Sequence, residues 1–193
     1  MKQTLMEPFS LTLDFAAGRI EPATTRIERR LSDMLGMFAD AAAEAAAMTD
    51  GDPLIYEVLQ YDVPNETGQL VVCTTVLHPG RIGDEYYMTK GHYHEKLDTA
   101  EVYLGLRGHG KLVMQADHGF SGLDMHSGTI AYVPPYWAHR TVNTGSDLFV
   151  FFAVYPADAG HNYGAIEHGG FGQRVVDRDG RPMIVPSNKG VEA

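Results

Sequence analysis

The 193-residue sequence contains one cysteine and no long apolar run. A single cysteine excludes an internal disulfide and suits a reducing compartment, and the apolar run 70–73 around Cys73 favours a buried structural thiol over a nucleophile. No apolar stretch approaches the roughly 20 residues of a membrane-spanning helix. The N-terminus also lacks the basic, apolar and small-residue order of a signal peptide. We therefore expect a soluble, cytoplasmic protein.

Basic residues are scarce: 15 Lys and Arg stand against 25 Asp and Glu, for a formal net charge of −10. No run of Lys and Arg offsets the long-range repulsion between this chain and phosphate groups, so we expect no binding to nucleic acid or anionic membranes. A small anionic substrate is compatible with the net charge if local donors hold it.

Glycine and proline are plentiful by contrast, with 21 glycines and ten prolines spread among short apolar runs. This pattern is typical of a turn-rich all-β protein, and 44% hydrophobic residues support a packed core. The length predicts a single domain with extensions. We divide it into an N-terminal extension (1–53) with a strand and a helix, a barrel core (54–160) and a C-terminal extension (161–193) that ends in a frayed tail at 188–193.

The N-terminal extension carries three local patterns. Alternating apolar residues predict a strand over Phe9–Phe15. Residues 26–37 are ambiguous, because a capping-box pattern and helical spacing of apolar residues compete with Gly36, which weakens a long helix. The Ala-rich segment Asp40–Met48, with Asp40 as N-cap, predicts a short helix that flanks the barrel.

After Pro53 the pattern changes to β-rich runs separated by Gly, Pro, Asn or Asp, which suggests a sandwich or barrel. The eight predicted strands are Leu54–Val63, Gly68–Leu77, Glu85–Tyr93, Ala100–Arg107, Gly110–Ala116, Thr129–Val133, Arg140–Asn143 and Phe149–Tyr155.

Three histidines and a glutamate have the spacing of a metal site. His92 and His94 share one face of a strand because side chains alternate, and a turn after them brings Glu101 onto a neighbouring strand. Tyr103 shares the face of Glu101, and His139 comes from a later strand. Nine histidines occur in the chain, so ordinary surface histidines are the alternative interpretation. The glutamate and the distant histidine favour a divalent metal site with three nitrogen ligands and one oxygen ligand.

This ligand order resembles the cupin superfamily, and longer strings resemble the archaeal cupin-type phosphoglucose isomerases over nearly the whole chain. The strings are Arg29–Met34, Thr74–Leu77, Thr89–His92, Ala100–Tyr103, Val133–Asn143 and Tyr155–His161. The resemblance implies an all-β cupin fold, a jelly-roll-like β-barrel with an N-terminal strand extension and a short flanking helix. The sequence departs from the family at Asp40–Met48 and at Asp117–Asp124, neither of which we expect at the pocket.

The resemblance also implies site residues and a cofactor. One divalent ion per subunit is expected, Fe²⁺ first, with Ni²⁺, Mn²⁺ or Zn²⁺ as alternatives, and its ligands are His92, His94, Glu101 and His139. The family's positions that hold a substrate phosphate correspond to Thr75, Thr89, Gly91 and Tyr155. Those that line the sugar pocket correspond to Tyr103, Tyr136 and His161. Lys90 could add charge, although a residue next to Thr89 on a strand points to the opposite face.

The implied activity is the interconversion of glucose 6-phosphate and fructose 6-phosphate. Glu101, Tyr103 and His161 are the candidate catalytic residues, acting by a cis-enediol route or by a hydride shift between C1 and C2. Two alternatives stay open: an Fe(II)-dependent cupin dioxygenase and a non-catalytic phosphosugar-binding cupin. The resemblance and the need to cover edge strands both predict a homodimer, with Phe9–Phe15 crossing to the neighbouring subunit.

Overall fold

A computed structural model describes residues 6–187, so the predicted tail at 188–193 lies outside the described residues. The described part is built mainly from strands: β1 (Thr12–Asp14), β2 (Arg19–Glu21), β3 (Thr25–Arg30), β4 (Leu54–Tyr61), β5 (Leu70–Leu77), β6 (Arg81–Ile82), β7 (Glu85–Tyr86), β8 (Glu101–Arg107), β9 (His109–Ala116), β10 (Gly119–His126), β11 (Ile130–Val133), β12 (Ala138–Asn143), β13 (Phe149–Pro156), β14 (Gln173–Arg178) and β15 (Arg181–Pro186). A 3₁₀-helix (Leu31–Met34) and two α-helices, α1 (Ala41–Asp50) and α2 (Gly164–Gly169), complete it. None of the described helices has the length and apolar character needed to cross a membrane.

Two antiparallel sheets enclose the core. One has six strands in the order β11-β8-β13-β5-β4-β3, and the other has three in the order β10-β9-β12. Leu77 and Phe149 from the first sheet and Leu112 and Val142 from the second belong to one buried cluster. The prediction of an all-β cupin fold is confirmed, although no strand pairing within residues 6–187 joins these two sheets into a closed ladder.

Strand β13 links the core to the site through its alternating side chains. Phe149, Phe151, Ala153 and Tyr155 point inward and are all buried. The ring centroids of Phe149 and Phe151 lie 5.2 Å apart, and Phe151 lies 5.3 Å from the ring of Tyr103 on β8. Because alternate side chains of β13 face inward, a continuous row of aromatic contacts runs from the core to Tyr103, one of the predicted site residues.

In the N-terminal extension, residues 26–37, for which the sequence left a long helix in doubt, form a strand followed by a short 3₁₀-helix. Residues 25–30 form β3, which pairs with β4, and only Leu31–Met34 is helical. Backbone pairing with a neighbouring strand, which the local pattern does not report, decides the outcome. The predicted helix is confirmed as α1, with the Asp40 side chain accepting a hydrogen bond from the Ala43 N–H at 2.9 Å.

The predicted strand at 9–15 is regular only over β1, which pairs with β2 in a hairpin of the same chain. Gly18 turns this hairpin at φ 68°, and a Cβ there would lie 2.2 Å from Val150 Cγ1. Glycine thus lets the hairpin lie directly on the outer face of the six-stranded sheet, where Leu13 packs against Val76 and Val150.

Three further differences separate the structure from the predicted strands. Strand β10 covers most of the divergent segment Asp117–Asp124, where the sequence predicts no strand, and α2, β14 and β15 occupy the C-terminal extension. Phe171 and Val175 are buried in the main core, so this extension is part of the packed domain. The strand predicted at 85–93 is regular only at β7. Beyond it Met88, His92 and Tyr93 make isolated bridges, and Gly91, with φ 75°, interrupts the extended backbone.

Phe149→Ala tests the packing that supports the site. Removing this fully buried ring should lower the free energy of unfolding by about 3–5 kcal/mol, because the cavity cannot fully collapse. Phe15→Ala is the control, since that ring is 63% exposed and should change stability by less than about 0.5 kcal/mol. Urea unfolding of both variants measures the difference, and equal losses would contradict the packing described here.

Candidate metal centre

The four predicted ligands converge in the structure. Each of His92, His94, Glu101 and His139 offers one ligand atom, and these atoms all lie within 4.8 Å of one another. Two backbone hydrogen bonds hold the first and last together: the His92 N–H donates to the His139 carbonyl at 3.2 Å, and the His139 N–H donates back at 3.0 Å. Glu101 opens β8 beside them. The four side chains that the spacing predicts as ligands therefore lie together in the structure.

Hydrogen bonding fixes the tautomer of His94. The Thr99 hydroxyl donates to the Lys96 carbonyl at 2.6 Å, so it can only accept from His94 Nδ1, 2.8 Å away. A neutral His94 then carries its proton on Nδ1 and turns the lone pair of Nε2 toward Glu101 Oε2, at 3.2 Å. Two lone pairs facing each other across this distance repel unless a cation lies between them.

His139 repeats the arrangement. Its Nδ1 lies 3.3 Å from the Trp137 carbonyl, which can only accept, so Nδ1 carries the proton of the neutral ring. Its Nε2 lies 3.0 Å from Glu101 Oε2, outside hydrogen-bond geometry. The Nε2 atom of His92 is also buried and has no hydrogen-bond partner within residues 6–187. Buried nitrogens without partners are costly, and metal coordination would satisfy them.

The protonation states also suit a cation. Burial raises the pKa of Glu101, but hydrogen bonds donated by His139 and His94, and the positive charge of these rings whenever they do donate, outweigh burial and hold that pKa below its usual range. Burial, together with the neighbouring rings of His139 and His161, keeps the pKa of His92 well below the usual value. An ionised carboxylate and neutral imidazoles are the forms that bind metal. Three nitrogens and one oxygen fit a divalent first-row ion.

A cavity of about 490 Å³ opens beside this cluster, with His92, Glu101 and His139 in its wall. Six other predicted site residues also line it: Thr75, Thr89, Gly91, Tyr103, Tyr155 and His161. Tyr136 does not, since its side chain is 60% exposed and stands outside the wall formed by the described residues. The structure therefore brings together every predicted site residue except Tyr136, with His94 buried behind the wall.

Tyr103 and His161 flank the cluster with groups that can exchange protons. Burial and the negative charge of Glu101 raise the pKa of Tyr103 well above its usual value, so it stays a phenol. Burial lowers the pKa of His161, which keeps that ring neutral near pH 7. The His161 ring lies 4.4 Å from the His92 ring and stacks on Tyr163 at 5.7 Å.

Four further polar groups of the cavity wall differ in whether they have hydrogen-bond partners. Within residues 6–187, neither the Thr75 hydroxyl nor the Gly91 N–H has an intramolecular hydrogen-bond partner. A Cβ at Gly91 would lie 3.0 Å from the His139 carbonyl oxygen, so this tight approach requires glycine. The Thr89 hydroxyl accepts from the Thr141 N–H at 3.0 Å. Tyr155 donates to Gln60 Oε1 at 3.1 Å.

Sequence reasoning missed several residues of the cavity wall, among them Arg29, Tyr56, Gln60, Thr141 and Tyr163. A correct assignment of β3 would have put Arg29 on the inward face and, by register, beside Tyr56. Lys90, considered as a source of positive charge, instead pairs with Glu167 on α2 at 2.9 Å and is absent from the wall.

Comparison with known proteins places these features in a family. The sequence model of the family described as "Glucose-6-phosphate isomerase (GPI)" matches residues 28–189. The chain is 49% identical to glucose-6-phosphate isomerase of Thermococcus litoralis, covering 95% of this chain and 96% of that protein. It is 47% identical to the enzyme of the same name from Pyrococcus furiosus, covering 93% and 95%.

Two solved structures are similar over part of the chain. Oxalate decarboxylase of Bacillus subtilis aligns with 55% of this chain and 26% of that one, at 21% identity and a TM-score of 0.44. An oxalate oxidase aligns with 60% and 58%, at 13% identity and a TM-score of 0.49.

Metal removal and reconstitution test the centre. Protein stripped by a chelator should regain stability when Fe²⁺, Ni²⁺, Mn²⁺ or Zn²⁺ is added, by about 2.7 kcal/mol at a hundredfold excess over Kd. His139→Ala should lose most of the bound metal and this gain, whereas His126→Ala, an exposed histidine outside the cluster, should keep both. Metal analysis and thermal unfolding measure the effect, and equal behaviour of the two variants would refute the assignment.

Proposed function

The chain belongs to the glucose-6-phosphate isomerase family, and on that premise we propose that it interconverts glucose 6-phosphate and fructose 6-phosphate in glycolysis and gluconeogenesis. One observation carries the proposal. The cavity beside the four-residue cluster also holds a phenol, a neutral imidazole and hydrogen-bond donors that suit a phosphate. The reaction moves one hydrogen between C1 and C2 of the sugar, and it needs these groups in one pocket.

The proposed proton transfer uses three side chains. Glu101 is the ionised base that takes the proton from one carbon and returns it to the other on the same face of a cis-enediol. Tyr103 donates a hydrogen bond to a sugar oxygen, and His161 positions or protonates the other oxygen. A divalent ion held by His92, His94, Glu101 and His139 supplies Lewis acidity for the negative charge that develops on those oxygens.

A direct hydride shift between C1 and C2 is the other route that this pocket allows. Substrate labelled with deuterium at C2 separates the two. Loss of the label to water supports the enediol route, because the base exchanges with solvent, whereas complete retention in the product supports the hydride shift.

Phosphate recognition is proposed at Thr75, Thr89, Gly91 and Tyr155. The free Thr75 hydroxyl and Gly91 N–H support this part, since charged oxygens bind unpaired donors strongly. Tyr136 stays a prediction, because its exposed ring stands away from the cavity wall. A cytoplasmic location also stays a prediction, consistent with the lone buried thiol of Cys73.

One ion per subunit is proposed, with Fe²⁺ first and Ni²⁺, Mn²⁺ or Zn²⁺ as alternatives. Imidazole and carboxylate ligands accept all four, and availability can decide which ion occupies such a site. The free hydrogen-bond donors near Thr75 suit a phosphate and therefore disfavour a cupin dioxygenase. The complete set of four candidate ligands disfavours a non-catalytic cupin, since a protein that only binds sugar phosphates would not need it. Oxygen consumption would favour the first alternative, and binding without turnover the second.

The proposed homodimer is supported by the outer face of the six-stranded sheet. The β1–β2 hairpin covers one part of this face, but Val102, Ile130 and Tyr132 are 39%, 72% and 55% exposed. Strand register places Tyr132 opposite Val102 and Ile130 opposite Leu104, so the patch is continuous. Continuous apolar patches on a sheet commonly mark subunit interfaces. Crossing of residues 9–15 to a second subunit stays a prediction.

Glu101→Gln should abolish isomerisation of fructose 6-phosphate in metal-reconstituted protein, since the amide keeps the shape but cannot act as base. We expect a fall in kcat of at least ~10²-fold, the low end for loss of a general base, with part of the metal still bound. Asp124→Asn, an exposed carboxylate outside the cavity wall, is the control. An inactive wild type with metal present would refute the proposed function.

Ile130→Asp should separate the proposed dimer, because a charge would be buried in an apolar contact. Light scattering at micromolar concentration should report twice the 21.2 kDa chain mass for the wild type and a single chain for the variant. Met183→Glu, at an exposed position on β15, should leave the assembly intact. A monomeric wild type would remove the proposal.

A further inference from the structure

Strand β3 contains three arginines that face in two directions. Its burial alternates, so Arg26 and Arg30 are exposed while Arg29 is half-buried on the inward face with Thr25 and Ile27. Arg29 is therefore the arginine of this strand that the alternation directs toward the cavity.

The two outward arginines have acidic partners. Arg26 pairs with Glu28 at 2.9 Å and with Glu57 at 2.8 Å, and Arg30 lies 3.7 Å from Glu28. Arg29 differs, since no carboxylate of residues 6–187 lies within 4.0 Å of its guanidinium, which donates to the Glu28 carbonyl at 3.2 Å. In a chain of net charge −10, a half-buried guanidinium without a carboxylate has capacity for an anionic ligand.

The surroundings of Arg29 place its charge near the free donors. It is the one Lys or Arg in the cavity wall formed by the described residues. Burial raises the pKa of Tyr56, its partner across the β3–β4 ladder, while the Lys90 backbone and the Arg29 charge both lower it. Arg29 and the Lys90 backbone therefore both approach the Tyr56 hydroxyl, and Lys90 lies between Thr89 and Gly91.

We propose that Arg29 is the cation that binds the substrate phosphate and so selects phosphorylated sugars over free sugars. A phosphomonoester dianion that enters this pocket passes close to ionised Glu101 in an acidic protein, and hydroxyl and amide donors alone leave its charge uncompensated. The planar guanidinium can offer two parallel N–H groups to the phosphate oxygens, which an ammonium cannot. This inference rests on the proposed isomerase activity.

Arg29→Gln in metal-reconstituted protein tests the inference. We expect KM for fructose 6-phosphate to rise roughly 10- to 100-fold, the range for one charge-assisted hydrogen bond, with a smaller change in kcat. The inhibition constant of inorganic phosphate, which competes without reacting, should rise in parallel. Arg29→Lys should recover part of the loss in KM and part of the loss in phosphate inhibition, because lysine keeps the positive charge but lacks the two parallel N–H groups of the guanidinium. Arg30→Gln, an exposed neighbour on the same strand, should match the wild type.

Failure of the proposed isomerase activity and failure of the proposed role of Arg29 give different results. An inactive wild type refutes the isomerase activity, and phosphate binding to that protein, measured by calorimetry with and without Arg29→Gln, still tests the arginine. An active wild type with unchanged KM and phosphate inhibition in Arg29→Gln overturns the inference. A fall in kcat and melting temperature with unchanged phosphate inhibition also overturns it, since Arg29 then only supports Tyr56 and Tyr163. If Arg29→Gln does not fold, the same comparison is made with Arg29→Lys.

Discussion

Three imidazole nitrogens and one carboxylate oxygen meet in a buried space, and their lone pairs repel one another unless they share a cation. Two of the rings have their protons fixed on the far nitrogen, His94 by Thr99 and His139 by the Trp137 carbonyl. Burial and the neighbouring ring of His139 hold the pKa of His92 well below its usual value, so this ring adds another neutral nitrogen to the cluster. The folded chain therefore maintains a costly polar cluster, which a bound divalent ion would stabilise.

The backbone maintains this cluster by interrupting a strand. Gly91 has φ 75° and lies so close to the His139 carbonyl that a side chain would collide, yet the next residue resumes pairing with β12 through two hydrogen bonds. The interruption leaves the Gly91 N–H without a ladder partner, while His92 still joins the other three residues of the cluster. One glycine thus leaves a free N–H beside the four-residue cluster, because the pairing is interrupted at this residue.

The convergence of the four candidate ligands could be predicted from the sequence because most of their geometry is local. Alternation along a strand places His92 and His94 on the same face, and a turn brings Glu101 beside them. Short sequence spacings are therefore enough to predict that these three side chains lie close together. Arg29, Tyr56 and Tyr163 reach the cavity wall only because segments far apart in the sequence lie side by side in the fold. Local periodicity does not encode such long-range pairing. Strand β10 was missed for a similar reason: most of its residues are exposed, so it lacks the apolar alternation that marks a half-buried strand.

The cavity wall contains one cationic side chain, Arg29, and one ionised carboxylate, Glu101, within the described residues, and their charges link the proposed phosphate binding to the proposed proton transfer. Arg29 lies with Tyr56 near the Thr89–Gly91 segment. In the proposed reaction, a sugar with a phosphate at one terminus and its reacting carbons at the other would bind with the phosphate at Arg29, and that orientation would bring C1 and C2 to Glu101. Binding energy gained at the non-reacting phosphate can then hold the carbons in place, which lowers the entropic part of the barrier. An acidic surface is compatible with this arrangement, since the attraction is needed only at short range inside a partly desolvated pocket.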